Sequence, residues 1–499
     1  MILERDVESI TQEEVHSWGI QKIIFDSRDA KPNVLFCALT GLHVDGHEFI
    51  EEAKEKGARH FLISKRDFVN YDEQETVYIV CDDTRKMMAK ISALHYDFPS
   101  RKLKVIGVTG TDGKSTTSQL VMQLLELSGH RCGLLSTVNI KVGEHIEENN
   151  LRQSTPEAPQ IEEALYTMLQ NGMEYAVVEA TSHGLSELTG RLSYIQFIAG
   201  VFTNVTIEHL EFHKTVEQYR LDKANLFKNV AVNEGISVIN ANSEHYSLYH
   251  DAAHGSGRIL SYGKSDKSDL WAESIQFTDN GFQFDLSSKK ERCAVELPLT
   301  GQFNIDNTLA AVLTVSALLD CSPCDLASYI PSLRAPAGRM ILIQQRPYRV
   351  IVDYAHTPGA FEQLLPHMKE ITTGKLIVMF GSGGERNLEK RPIQGHIADL
   401  HADIIILTNE DPRLEDEMVI LKDIAAGVKQ KELDRDLLII PDRESAIRHA
   451  VSLCDSGDTL LLLGKGHEQS IIGSDGKMDW DEVTCVNKYL AGSDVKIHE

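Results

Sequence analysis

Leu103-Lys-Val-Ile-Gly-Val-Thr-Gly-Thr-Asp-Gly-Lys-Ser115 is the stretch whose reading decides the fold. Its first half is an apolar, β-branched run of the kind that forms a buried strand. Glycines at 110 and 113 break the run, and a helix is predicted from Ser115 to about Ser128. A glycine turn between strand and helix exposes backbone N–H groups, and the helix N-terminus adds partial positive charge. Such a turn holds phosphate. Lys114 has the length to reach the outer phosphates of a nucleotide, and the hydroxyl of Ser115 or Thr116 suits Mg²⁺. Gly110, Thr111, Asp112, Gly113, Lys114, Ser115 and Thr116 are therefore expected to cradle ATP. Val108 stands where the commonest phosphate loop has a glycine. An accidental glycine turn is the competing reading, and the strand before and helix after argue against it.

On both sides of the loop, strands and helices alternate. Strands are predicted at residues 22–25, 34–38 and 76–81, with a helix at 47–56. After the loop, strands are expected at 175–179, 198–202 and 236–239, then a long amphipathic helix at 302–319. Further strands are expected at 349–352, 375–380, 404–407, 437–440 and 459–463. Pro99 punctuates the chain near residue 100, and the proline and glycine of Leu333-Arg-Ala-Pro-Ala-Gly-Arg339 mark a second linker. The reading is an α/β protein of three domains, residues 1–100, 101–332 and 333–499. Each is built on a mostly parallel or mixed sheet flanked by helices. In such sheets ligands bind at the carboxyl ends of the strands.

Bulk properties narrow the function. A chain of 499 residues is too long for one core. The net charge of -24 repels nucleic acid and anionic membranes, so neither is an expected partner and any anionic ligand needs a local cationic pocket. No apolar run is long enough to span a bilayer, and the acidic start is no secretory signal, so the cytoplasm is the expected compartment. The eight cysteines are scattered, which suits a reducing environment. Cys321-Ser-Pro-Cys324 has CxxC spacing but no second pair to complete a metal site, so a turn is expected there.

Two segments beyond the loop carry chemistry. Val177-Val-Glu-Ala-Thr-Ser-His-Gly184 leaves a predicted strand with Glu179 at its end. Thr203-Asn-Val-Thr-Ile-Glu-His-Leu-Glu-Phe-His213 follows another. Glu179 and His209 could share a divalent ion beside the phosphate loop. Either histidine read alone is more often structural.

At this point the residues resemble a family, the Mur ligases of bacterial cell-wall synthesis. Within it they resemble the tripeptide-synthetase branch. The resemblance spans nearly the whole chain and rests on motifs in fixed order. They are Asp26-Ser27-Arg28, the phosphate loop, Ser154-Thr155-Pro156-Glu157, Glu179 with Thr181-Ser182-His183, Asn204 to His213, and Tyr219-Arg-Leu-Asp-Lys223. Gly301-Gln-Phe-Asn-Ile-Asp-Asn307, Gly338-Arg339, Asp353-Tyr-Ala-His-Thr-Pro358, Gly383-Gly-Glu-Arg386, Glu410-Asp-Pro-Arg413 and Gly464-Lys-Gly-His-Glu468 complete the set. The resemblance implies a P-loop NTPase-like central domain and a Rossmann-like C-terminal domain. It also implies an ATP-dependent amide ligase working through an acyl phosphate, with UDP-MurNAc-dipeptide and a diamino acid as substrates and a monomer as the working unit.

Roles then follow by resemblance. Lys114 would stabilise the migrating phosphoryl group, and Ser115, Glu179 and His209 would hold Mg²⁺. Lys223 would carry a CO₂-derived carbamate that ligates a second Mg²⁺. Lys114, Lys223 and His209 are thus the expected catalytic set. Asn304, Arg339, Asp353 and His356 would complete the ATP site. Ser27 would meet the uridine nucleotide, and Gln153, Ser154, Thr155, Thr181 and Arg191 the muramoyl peptide. Arg386, Glu410, Asp411, Pro412, Arg413, Gly464 and Glu468 would meet the amino acid. Arg413 favours meso-diaminopimelate, whose distal carboxylate an Arg fork pairs well. Asp411, where diaminopimelate users have Asn, keeps L-lysine or ornithine open. Asp112 likewise stands where the family has Asn. A folylpolyglutamate synthetase-like ligase shares the loop and the carbamylated Lys, but it lacks a domain like residues 1–100.

Overall fold

The computed structural model describes residues 1–41, 44–68, 75–149, 151, 153–206, 210–278 and 281–493. Among these residues the strands form three sheets, in chain order, and one small hairpin. The first sheet is parallel throughout, with spatial order Ile2–Glu4, Val77–Val80, His60–Ile63, Val34–Cys37, Lys22–Ile24. Leu35, Phe36, Phe61, Leu62, Tyr78 and Ile79 are buried, so neighbouring strand residues face core on both sides.

The second sheet has eleven strands among the described residues. At its centre Lys104–Thr109 lies between Tyr175–Glu179 and Phe197–Phe202, all parallel. This register sets Glu179 opposite Val108 and Phe202 opposite Thr109. Three strand ends therefore meet at the phosphate loop. Both edges turn antiparallel: Leu270–Thr278, Gly281–Ser288 and Arg292–Leu297 form a meander on one side. Asn139–Lys141 and Glu147–Glu148 extend the other.

The third sheet runs Ile341–Gln344, Arg349–Asp353, Thr459–Leu463, Leu376–Phe380, Ile404–Leu407, Leu437–Ile439, parallel except for its first strand. The hairpin Ser470–Gly473 with Gly476–Asp479 lies beyond it in sequence.

Two features differ from the sequence reading. The helix expected to be amphipathic, Phe303–Leu319, is buried on most of its surface, including Leu309, Ala310, Ala311, Val312 and Val315. It packs against the helix Lys114–Leu127, the strands that follow Phe202, and the 3₁₀ segment Pro323–Ser332. Small residues let it approach closely. The CxxC also behaves differently. Ser322 caps the 3₁₀ segment as a turn would, but Cys324 is joined to Cys293 on Arg292–Leu297, with Cα atoms 6.0 Å apart. Cys321 is a free thiol. Among the described residues no helix is long and apolar enough to cross a membrane.

Candidate active site

The phosphate loop is held by its neighbours in space. The Asp112 N–H donates to Asn204 Oδ1 at 2.9 Å, and Thr203 Oγ1 donates to the Asp112 carbonyl at 2.7 Å. Thr111 Oγ1 and the Tyr219 hydroxyl lie 2.9 Å apart. Glycine is required at two points: a Cβ at Gly110 would overlap the Thr203 hydroxyl, and one at Gly113, with φ +81°, would overlap Asn307 Oδ1. Lys114 folds back, its Nζ donating to the Thr111 carbonyl at 2.7 Å. Ser115 and Thr116 are buried under the loop in the first turn of the helix.

Glu179 is fully buried at the end of its strand. Its Oε2 accepts from Thr137 Oγ1 at 2.6 Å, while Oε1 is buried with no hydrogen-bond partner. A buried carboxylate oxygen left open beside a phosphate loop fits a cation. Lys223, on the helix Val216–Val232, is buried, lies 4.3 Å from the centre of the Tyr219 ring, and donates to the Gly110 carbonyl at 2.7 Å. Glu179, Ser115 and Lys223 thus reach the loop from three different elements. His209 lies outside the described residues. Nearby, His213 is buried between Asp222 Oδ2 at 2.8 Å and Ser182 Oγ at 2.9 Å. Among the described residues no group of three or more His, Cys, Asp or Glu side chains is placed to hold a metal ion.

Two cavities open on the loop. The larger, about 690 Å³, lies between the central and third domains and is lined by Gly113, Thr116, Asn304, Asn307, Arg339 and Asp353, among others. Asn304 accepts from Asn307 Nδ2 at 2.9 Å and donates to the Thr300 carbonyl at 2.6 Å. Asp353 accepts from the N–H groups of Met340 and Ala355, and burial raises its pKa against the pull of Arg339. Arg339 itself stacks 4.6 Å from the Tyr354 ring centre.

The second cavity, about 470 Å³, runs from Lys114, Ser115 and Lys223 to Arg386, Glu410, Asp411, Arg413 and Glu468. Ser154, Thr181 and His356 are also on its wall. His356 Nδ1 lies 2.8 Å from the Tyr354 carbonyl. Thr155 donates to the Glu179 carbonyl at 2.7 Å. Arg191 donates to the Thr155 carbonyl at 2.8 Å and to Glu157 at 2.6 Å, so its charge orders the segment at residues 155–157; Arg191 itself lines neither cavity. Gln153 accepts from Asn149 through its carbonyl at 3.3 Å. Ser27 lines neither cavity; its hydroxyl donates to Glu52 in the first domain.

Strand ends of the third sheet supply the far wall. Gly464, with φ +100°, follows Thr459–Leu463, and a Cβ there would lie 2.8 Å from Glu410 Oε2. Glu410 Oε2 and Arg413 Nε are both buried without hydrogen-bond partners. Asp411 Oδ1 instead accepts from Lys465 Nζ at 2.8 Å and from the Ile472 N–H at 3.0 Å. Lys465 Nζ also meets Glu468 Oε2 at 2.5 Å. Pro412 contributes through its backbone, its carbonyl packing where any Cβ at Gly384 would stand. His467 is neutral at physiological pH, its pKa lowered to about 3 by burial and by Arg339 and Lys465.

Sequence reasoning missed four supports. Thr357 donates to Asp112 Oδ1 at 3.2 Å, joining the third domain to the phosphate loop. The Thr-Pro pair at a helix start was an available signal for it. Thr137 had no such signal, and Lys465, inside the motif Gly464 to Glu468, was given no role. Arg443, buried, pairs with Glu482 at 2.6 and 2.8 Å and donates to the carbonyls of Asn409 and Leu463. It ties together the two strand ends that carry Glu410 and Gly464.

Three family models match the chain. They are the Mur ligase family catalytic domain over residues 19–96, the Mur ligase middle domain over 108–315, and the Mur ligase glutamate ligase domain over 338–466. The UDP-N-acetylmuramyl-tripeptide synthetase of Treponema denticola is 43% identical over 94% of this chain and 91% of its own length. The UDP-N-acetylmuramoyl-L-alanyl-D-glutamate–2,6-diaminopimelate ligase 1 of Clostridium acetobutylicum is 35% identical over 94% of this chain and 95% of its own. A solved UDP-N-acetylmuramoyl-L-alanyl-D-glutamate–2,6-diaminopimelate ligase superposes with a TM-score of 0.63 at 28% identity, covering 97% of this chain and 99% of the other.

Proposed function

Because the chain belongs to the Mur ligase family, and is an ATP-dependent ligase adding an amino acid in peptidoglycan synthesis, we propose that it joins meso-diaminopimelate to UDP-MurNAc-L-Ala-D-Glu. The observation that carries the amino acid is the pair Glu410 and Arg413 on the far wall, each with a buried side-chain atom that has no hydrogen-bond partner. The wall carries both signs, with Glu410, Asp411 and Glu468 beside Arg386, Lys390, Arg413 and Lys477. A wall that offers both a carboxylate and a guanidinium suits a distal group that carries both signs. Diaminopimelate offers one ammonium and one carboxylate there; lysine and ornithine offer a bare ammonium. Glu410 and Arg413, each with a buried atom awaiting a partner, are the groups proposed to receive them.

The proposed division of labour is residues 1–100 for the UDP-substrate, 101–332 for ATP and 333–499 for the amino acid. ATP enters the larger cavity with its phosphates on the loop at residues 110–116 and its base and ribose toward Asn304, Arg339 and Asp353. Arg191, Thr155 and Thr181 orient the dipeptide so that its free carboxylate attacks the γ-phosphate, forming an acyl phosphate and ADP. Lys114 turns from the Thr111 carbonyl to the migrating phosphoryl group, neutralising charge where it develops. The amine held at Glu410 and Arg413 then attacks the acyl carbon, and phosphate leaves.

Two Mg²⁺ ions, one near Ser115, Glu179 and His209 and one on a carbamate of Lys223, would supply further charge neutralisation. Lys223 is buried beside the loop, its Nζ on the Gly110 carbonyl, where that carbamate would stand. Dependence on ATP supports a cytoplasmic reaction.

A panel assay tests the proposal. Phosphate release is measured with ATP, UDP-MurNAc-dipeptide and, separately, meso-diaminopimelate, L-lysine and L-ornithine. Release should require the dipeptide and be fastest with diaminopimelate. Faster turnover of lysine or ornithine would refute the choice of amino acid. Release without the dipeptide would refute the substrate pair.

A further inference from the structure

We infer that Lys465 is a positioning residue that sets amino-acid specificity, by offsetting the charge of Asp411 beside the distal-carboxylate site. The inference rests on the proposed reading of diaminopimelate as substrate. Lys465 is wholly buried, yet its ammonium has two carboxylate partners, Asp411 at 2.8 Å and Glu468 at 2.5 Å. It sits between the loop that follows Ile404–Leu407 and the loop that follows Thr459–Leu463. A buried cation with no acid would be costly, and two acids with no cation would be more so. The trio therefore holds together as a unit.

The consequence lies two residues along the chain, at Arg413. Asp411 and Arg413 both line the cavity, and both are fastened to Ile472, one to its N–H and the other to its carbonyl. A free carboxylate at 411 would repel the distal carboxylate that Arg413 attracts. Paired with Lys465, which it shares with Glu468, and hydrogen-bonded to Ile472, Asp411 repels the distal carboxylate less than a free acid would, and the attraction of Arg413 prevails. Lys465 thereby lets the chain carry an acid at 411 and still accept a zwitterionic distal group. A plain structural tie between two loops is the competing account. The two differ in whether removing the charge at 411 compensates for removing the charge at 465.

Steady-state kinetics on four forms separate them: wild type, Lys465→Met, Asp411→Asn and Lys465→Met/Asp411→Asn. Lys465→Met should raise KM for diaminopimelate at least about tenfold, with KM for ATP moving by less than about twofold, and should shift preference toward lysine. The double variant should recover most of the KM and the preference for diaminopimelate. Equal defects in the single and double variants, or no defect in either, overturn the inference while leaving the substrate reading intact. Wild-type protein that ignores diaminopimelate overturns both. If Lys465→Met does not fold, Asp411→Asn decides alone: it should lower turnover of lysine relative to diaminopimelate, and an unchanged ratio refutes the role of charge.

Discussion

Replacing Glu162 by Gln should flatten the pH dependence of stability. Glu162 lies on the helix Ala158–Gln170, which packs against the first domain's helix Thr84–His95 and the segment Pro99–Arg101. Its side chain is buried, Oε2 has no hydrogen-bond partner, and burial raises its pKa to about 8 despite the pull of Arg101. An unfolded Glu titrates near 4.3–4.5. The folded pKa is the higher one, so the contribution of protonated Glu162 is fully present below about pH 4.5 and is lost as pH rises through about 8. For a folded value of about 8, the wild type should lose on the order of 2–3 kcal/mol between about pH 5 and 7, and about 1 kcal/mol more by pH 9.

Glutamine has no charge to bury, so the variant should lack this slope. Other groups impose their own slopes; His367 and His467, with lowered values, add stability as pH rises through the acid range. The quantity to measure is therefore the difference between wild type and variant. Thermal unfolding from about pH 5 to about pH 9 gives it, and hydrogen exchange on residues 158–170 locates it. The two curves should nearly meet at the acid end and diverge steadily toward neutrality, with the variant more stable. Because Glu157 at the head of the same helix accepts from Arg191, KM for the UDP-substrate should also rise with pH more steeply in the wild type. Parallel stability curves would refute the claim that a carboxylic acid is held neutral at this junction.

Two further outcomes concern the reaction itself. Lys223→Ala should reduce turnover by at least about 100-fold, and formate or acetate should restore part of it by standing in for a carbamate; full activity, or loss that no short carboxylate relieves, would remove that role. Gly464→Ala places a Cβ 2.8 Å from Glu410 Oε2 at φ +100°, adding strain of about 1–2 kcal/mol and displacing the acid. KM for the amino acid should rise about tenfold or more with little change for ATP, and an unchanged value would sever Glu410 from amino-acid binding.

The phosphate loop was legible because its signal is local: strand, glycines and helix are contiguous, although the atoms that exclude a Cβ at 110 and 113 come from Thr203 and Asn307. Glu179 could be placed at a strand end, but its open oxygen depends on Thr137, 42 residues away. Arg443 and Lys465 were invisible for a stronger reason. A cation in sequence looks exposed, and only the packed structure supplies Glu482, Asp411 and Glu468 to bury it. The antiparallel meander at residues 270–297 escaped because its strands mix buried and exposed faces, without the continuous apolar runs that betrayed the parallel ones. The link between Cys293 and Cys324 escaped because spacing pointed to Cys321.

Two departures from the family pattern, Asp for Asn at 112 and at 411, have one physical explanation. Asn brings a donor and an acceptor; Asp brings acceptors and a charge, so each exchange requires a new donor. At 411 the donors are Lys465 and the Ile472 N–H. At 112 a donor is the hydroxyl of Thr357, which caps the first helix after Arg349–Asp353 in the third domain. That second bond joins the third domain to the loop at the wall of the second cavity. It adds to the packing of Gly359 against Thr206 and of His367 against Phe277 and Phe282, about 5.5 Å between ring centres. The third domain therefore docks on the phosphate loop while its strand ends face Lys223 across the second cavity. The acid at 112 thus ties the third domain to the phosphate loop, and the acid at 411 shares Lys465 with Glu468, which under the proposed reading leaves the choice of amino acid to Arg413 and Glu410.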